Sequence, residues 1–321
     1  MDIRKDKSSE IANRLAKEVI ACAANSDEHL EMRLVADKKN QKVLISIAGN
    51  GLITVDWGDG QRDTRNVSLN AKPWSHDYAK DRKMHTITIS GNVVIALECI
   101  KTGLVDVDIS KNPYLIYFNC TGNHIENIKF GTSKYLSFCM CNENRLTSLD
   151  LSGNNKLQEL TCRKNHISSL VIGENRDLYA LDCGHNYLTS LDISRTPALS
   201  YVFCPNNYLT SLNIDNNSEL IRLICANNRL TGINIVKNPR LIQLEVGFNR
   251  IESIDASNNR DLFDVAFAFN KMNADAINRF FNSLSGATMP FFQKIINMRG
   301  NPGTRKCDRS IAEKKGWTVY T

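Results

Sequence analysis

Cysteine stands at Cys99, Cys120, Cys141, Cys162, Cys183, Cys204 and Cys225, always 21 residues after the last, and Val246 and Phe267 carry the row on. Asparagine follows three residues later in register: Asn123, Asn144, Asn165, Asn186, Asn207, Asn228, Asn249 and Asn270, with Thr102 at the first position. Leucine precedes each member by five residues, from Leu115 to Leu262. A second Asn row runs through Asn112, Asn154, Asn175, Asn217, Asn238 and Asn259, broken by Ser133 and Thr196. About nine coils obey the consensus L-x-x-L-x-C-x-x-N-x-L-x-x-L-x-L-x-x-x-N-x. A fixed period of this depth means units that cannot bury an apolar face alone and must stack on their neighbours.

The period dictates the local structure. Leu136, Cys139 and Cys141 read as the inward side chains of a short strand, and stacking sets such strands in parallel, about 4.8 Å apart. Leu146, Leu149 and Leu151 fill the core from the opposite wall. Twenty-one residues leave no room for a full helix there, so segments such as 147–151 are expected to be extended. The Asn amides are expected to bond open backbone groups where the chain turns inward. The cysteine row reads as a core row of buried thiols. Its neighbours come within disulfide range, but parallel side chains give poor bond geometry. Zinc would need clustered ligands, and Cys139-x-Cys141 is the one close pair, so no metal is expected.

This pattern resembles the leucine-rich repeats of listerial internalins, most closely their cysteine-ladder subtype, and the repeats of Bacteroidetes surface proteins. The resemblance implies a leucine-rich-repeat solenoid with parallel strands on a concave face and an extended convex side. It also implies an interaction protein that is secreted or attached to a cell surface. The first residues give no signal peptide, because the stretch after the charged start carries Arg14, Lys17 and Glu18. Two locations follow as alternatives: a cytoplasmic protein, or a trimmed form of an exported one.

The expected organisation is an N-terminal helix at 1–32, a β cap at 33–92, repeats at 93–272 and an α/β cap at 273–321, a mostly β chain of the α+β kind. Residues 8–24 show an amphipathic stripe of Ile11, Leu15, Val19 and Cys22 that would pack on the cap. Val43–Ile47 and Leu52–Val55 read as two strands. The run D-W-G-D-G at 56–60, then His76-x-Tyr78, then a T-I-T-I strand at 86–89, resembles a short PKD-like β-sandwich. Asp56 and Asp59 read as staples of the turn, with a calcium site as the alternative. In the last cap, helices are expected at Asp275–Leu284 and Asp308–Lys315, and strands at Phe291–Met298 and Trp317–Tyr320.

Function is read from side chains left outside the strands, where a solvated face should be polar. Two apolar groups break that rule: Tyr117, Phe138 and Met140, and Tyr201, Phe203 and Ile224 beside Arg222. Phe248 is added from the row two residues past the cysteines. Aromatics and arginine are enriched in binding hot spots, so these eight residues are expected to meet a protein ligand. A glycan is the alternative, since aromatics beside acids and amides also suit sugars. A further stripe, from His124 and Arg145 through Tyr187, Tyr208, Arg229 and Arg250 to Lys271, reads as a solvated flank.

Charge speaks against nucleic acid. Residues 273–321 hold a net +5 of the chain's +6, so the repeats are close to neutral, whereas a nucleic-acid binder concentrates charge along its binding face. No apolar run is long enough to span a membrane. Catalysis has no support: the six histidines stand at no recognisable spacing from a nucleophile, and neither a phosphate-cradling glycine loop nor H-E-x-x-H occurs. The expectation is a monomeric, non-catalytic binding protein without cofactors.

Overall fold

The computed structural model describes residues 14–23, 30–39, 42–78, 83–131, 133–287 and 292–321. The chain divides into two compact units, Met1–His166 and Ile167–Thr321, both built from the 21-residue coil of a mostly-β parallel solenoid.

The first unit opens with helix α1, residues 14–23. An antiparallel sheet follows, made of β1 (Leu30–Ala36), β2 (Lys42–Asp56), β3 (Arg62–Val67), β4 (Lys72–Asp77), β5 (His85–Glu98) and β6 (Leu104–Lys111). The two strands expected at 43–47 and 52–55 are one 15-residue strand, β2, with register shifts at Ala48/Gly49 and between Asn50 and Ile53. Gly49 makes the bend possible: a Cβ there would lie 1.9 Å from the Val93 carbonyl oxygen.

The D-W-G-D-G turn is closed by protein groups. Gly58 N donates to Asp56 Oδ1 (2.9 Å) and Arg62 Nε to Asp56 Oδ2 (2.8 Å). Gln61 N donates to Asp59 Oδ1 (3.0 Å), and His76 Nε2 lies 2.7 Å from Asp59 Oδ2. Every carboxylate oxygen of the pair is engaged, which is the staple geometry. The Tyr78 hydroxyl donates to the Trp57 carbonyl at 2.7 Å, accounting for the H-x-Y spacing.

Strand β5 crosses the boundary expected at residue 92. Its start pairs antiparallel with β1, and its end, Ala96–Glu98, pairs parallel with β7 (Tyr117–Asn119). Strand β6 does the same on the other wall, pairing with β1 and with β8 (Asn127–Lys129). The cap is therefore the first rung drawn out into an antiparallel sheet. Strands β9 (Phe138–Met140) and β11 (Glu159–Thr161) continue the first wall in register, Tyr117↔Phe138↔Glu159, and β10 (Ser148–Asp150) lies on the other. Leu136, Cys139, Cys141, Leu146, Leu149 and Leu151 are all buried, as the alternation requires.

The second unit begins with β12 (Ser169–Val171) and stacks β13 (Ala180–Asp182), β14 (Tyr201–Phe203), β15 (Arg222–Ile224), β16 (Gln243–Glu245) and β17 (Asp264–Ala266) in parallel, each 21 residues on. Helix α2 (Ala274–Ser283) follows, capped by Asn273, whose side chain accepts from Ala276 N. It buries Ala276, Ile277, Phe280 and Phe281. Then come β18 (Lys294–Asn297), helix α3 (Ser310–Glu313) and β19 (Trp317–Tyr320), the two strands adding in parallel to β17.

The Asn ladder joins coil to coil. Asn228 Nδ2 donates to the Cys204 and Cys225 carbonyls (3.0 and 3.1 Å), and its Oδ1 accepts from Leu209 N (3.0 Å). Asn144, Asn165, Asn207, Asn249 and Asn270 repeat this arrangement within their units. Asn301 extends it into the C-terminal cap, donating to Phe267 and Met298 and accepting from Met272 N. Its wider spacing hid it in the sequence, where it reads as a turn residue. All ten cysteines are thiols outside any disulfide, and the eight from Cys99 to Cys225 are buried.

Candidate functional site

In the second unit the outward side chains of β14 and β15 lie side by side. Tyr201 pairs with Arg222 and Phe203 with Ile224, one coil apart in parallel register. All four are half-buried while Val202 and Leu223 between them point into the core. The alternation of a strand with one buried face thus leaves three apolar side chains and an arginine together on the outer one. The parallel register brings Tyr201, Phe203, Arg222 and Ile224 together.

The neighbouring strands make the surroundings polar. Asp182 pairs with Phe203, Glu245 with Ile224, and Gln243 with Arg222. Gln243 Nε2 donates to both Glu245 Oε1 (2.8 Å) and Asp264 Oδ2 (2.9 Å). Partial burial, with Asp264 beside it, raises the Glu245 carboxyl above its ordinary range; burial likewise raises Asp264. The patch is therefore apolar and cationic on β14–β15, and acidic toward β16–β17.

The first-unit group is differently placed. Tyr117 pairs with Phe138 and Asn119 with Met140, so the strands bring these side chains together. However, Phe138 is only 4% exposed, in a cluster with Ala16, Val19 and Ala23 of α1 and with Ala48, Val93, Ile95, Tyr114 and Ile116. Leu15, Ile20, Tyr117 and Met140 pack against that cluster. Here α1 already covers the apolar group, and burial pushes the Tyr117 phenol up to about 12. Of the expected helix stripe, Val19 is buried and Leu15 half-buried, but Cys22 is exposed and Ala16 and Ala23 take its place; Ile11 lies outside the described residues. The footprint was written in the coils: Val93, Tyr114 and Tyr135, at 21-residue spacing, are apolar where Lys156 and Asp177 stand later.

Phe248 is off the strand. It sits on the turn after β16 with a left-handed backbone (φ 55°), stacked on Phe269 with ring centroids 4.5 Å apart.

The buried thiols are poorly suited to covalent chemistry. Burial raises the thiols of Cys99, Cys120 and Cys183, and the neighbouring Cys139 and Cys225 thiols raise Cys141 and Cys204 further. A thiol held above its ordinary range is a poor nucleophile near neutral pH. Among the described residues, no group of three or more His, Cys, Asp or Glu could hold a metal ion. Part of the basic excess of the last cap is structural. Lys315 Nζ donates to the Phe281, Asn282 and Leu284 carbonyls at the end of α2, and Lys294 Nζ to those of Ala287 and Lys315.

No family model and no curated protein matches the chain. Solved structures do. The functional domain of InlJ from Listeria monocytogenes, which includes a cysteine ladder, is 26% identical with a TM-score of 0.60, over 69% of this chain and 47% of that domain. YopM, a leucine-rich effector protein from Yersinia pestis, is 22% identical with a TM-score of 0.53, over 64% of this chain and 55% of YopM. The chain thus spans about half the length of either. With its 21-residue parallel coils, its row of inward cysteines and these likenesses, the chain is a leucine-rich-repeat solenoid carrying a cysteine ladder.

Proposed function

We propose that the chain is a non-catalytic scaffold that holds a protein partner on the strand face of its second unit, with Tyr201, Phe203, Arg222 and Ile224 as the centre of contact. One observation carries this reading: two register-paired strands present two aromatics, an isoleucine and an arginine outward, where solvent favours polar side chains. Such groups, desolvated at the middle of an interface and rimmed by polar residues, dominate binding energy. Asp182, Gln243 and Glu245 supply that rim. Tyr117, Phe138 and Met140 join such a surface only if α1 leaves, so in the described state they belong to its packing. The likeness to internalin-type repeats extends the proposal to a secreted or surface-attached location. Among the described residues no helix is long and apolar enough to cross a membrane.

The test is crosslinking-based identification of a partner, followed by affinity measurement with Tyr201→Ala and Phe203→Ala. Each substitution is expected to weaken binding by about 2 kcal/mol, roughly thirtyfold, with an unchanged circular dichroism spectrum. Unchanged affinity in both would remove this face from the proposal. A glycan-array signal lost in the same variants would move the ligand class to carbohydrate.

A further inference from the structure

The turn that follows each strand passes through one left-handed residue per coil, and within each unit the side chains there form a row along one edge. Lys101, Glu143, Lys164, His185, Asn206, Asn227, Phe248 and Phe269 all have φ between 54 and 56°. Asparagine and histidine are tolerated in this conformation, whereas a bulky aromatic is an outlier. Two consecutive coils of the second unit nevertheless place phenylalanine there. Burial does not repay the choice, because Phe248 is 49% and Phe269 43% exposed. The rings stack on one another instead, and the Arg299 guanidinium lies 5.7 Å from the Phe269 ring.

The row two residues further on continues the theme. Tyr187 and Tyr208, also exposed, stack with centroids 6.1 Å apart, and Arg229 lies 4.5 Å over the Tyr208 ring. Arg250 and Lys271 follow on the next two coils, both exposed. The row before the phenylalanines holds Gly184, Pro205, Ala226, Gly247 and Ala268. No carboxylate stands on these three rows of the second unit. This edge therefore combines aromatic stacks with cations; a carboxylate meets it at the Gly184 coil, where Asp182 accepts from Gly184 N (3.1 Å), three coils before Phe248.

We infer that this edge of the second unit, centred on Phe248, Phe269, Arg229 and Arg250, is a docking strip for an acidic segment of a partner protein. Charge complementarity selects the occupant. Arginine and lysine attract carboxylates, and so do the ring edges, which carry the positive end of the aromatic quadrupole. Ring geometry selects against the other polyanions. Nucleobases and sugars need open aromatic faces, but Phe269 lies between Phe248 and the Arg299 guanidinium, and Tyr208 between Tyr187 and that of Arg229, so neither ring has a free face to offer. The strip is made of turn residues, not of the β14–β15 strand residues, and it does not rest on the reading given to that patch.

The experiment uses the full chain and a fluorescent copolymer of glutamate and tyrosine, with heparin and oligo-dT as competing polyanions. The copolymer is expected to bind, to weaken with rising salt, and to bind roughly tenfold less tightly to the Phe248→Asn/Phe269→Asn variant and to the Arg229→Glu/Arg250→Glu variant. Asparagine suits the left-handed backbone, so the first variant should melt at the wild-type temperature or above it. Lys156→Glu, a charge reversal at an exposed residue of the first unit, should bind the copolymer as the wild type does. The inference is overturned if the copolymer does not bind, if heparin or oligo-dT binds as tightly, or if neither double variant weakens binding. A lowered melting temperature in the asparagine variant would make the phenylalanine pair structural and overturn it equally, as would an equal loss of copolymer binding in Lys156→Glu.

Discussion

The two asparagine rows look equivalent in the sequence but differ at the level of single atoms. Asn228 uses both ends of its amide, donating to two carbonyls and accepting from Leu209 N. Asn238, in the second row, donates to the Ile214 and Asn217 carbonyls, and its Oδ1 is buried with no partner. A hydroxyl can do part of that second job: Ser133 Oγ donates to the Leu115 carbonyl and Thr196 Oγ1 to that of Ile193. The first row has only Thr102, on the first coil, as its exception. Removing Asn228 strands the buried Leu209 N–H, at a cost on the order of 1–3 kcal/mol, and takes one of two amide donors from each of the Cys204 and Cys225 carbonyls, which keep Asn207 and Asn249. Asn228→Ala should therefore cost about 3 kcal/mol, and Asn238→Ser about 1 kcal/mol or less, measured by urea unfolding. Equal losses would show that the two rows bear the fold alike.

At the scale of elements, α1 covers the apolar group of the first unit as a ligand would. Its Val19 is fully buried against the strand face of the first unit. An aspartate there would place a charge in an apolar cluster, at a cost of several kcal/mol unless the helix undocks. Val19→Asp is expected to release α1 locally: trypsin should cut sooner after Arg14 or Lys17, and binding of a hydrophobic dye should rise as Phe138 becomes exposed. Wild-type rates of both would contradict this packing. The strands themselves were legible because a constant period fixes register: once Cys141 is set inward, Phe138 and Met140 must face outward. What could cover them was not legible, since outward and exposed are different properties, and only the tertiary position of α1 decides between them. The long β2 was hidden for a similar reason, as its glycine bend reads locally as a strand break. Asn301 was hidden because α2 is inserted ahead of its rung. The apolar group at Tyr201, Phe203 and Ile224, where the period is unbroken on both sides, could be read directly from the sequence.

Across the whole molecule, the thiols report on both units at once. Cys22 is exposed and Cys307 half-buried, while Cys99 through Cys162 in the first unit and Cys183 through Cys225 in the second are buried. A thiol reagent added to the native protein should label Cys22 at once and Cys307 more slowly. The eight buried thiols should react only as the repeats unfold, reading their stability coil by coil. Early labelling of Cys141 or Cys204 in native buffer would contradict the close-packed interior. The reach of Asn301 has a broader consequence. The register step from Asp264 to Ile295 admits a ten-residue helix, yet the amide link closes as it does after an ordinary step. A helix threaded between these two rungs has left their clasp intact while adding its own buried face to the interior, so an array of this kind can lengthen one step without surrendering its frame.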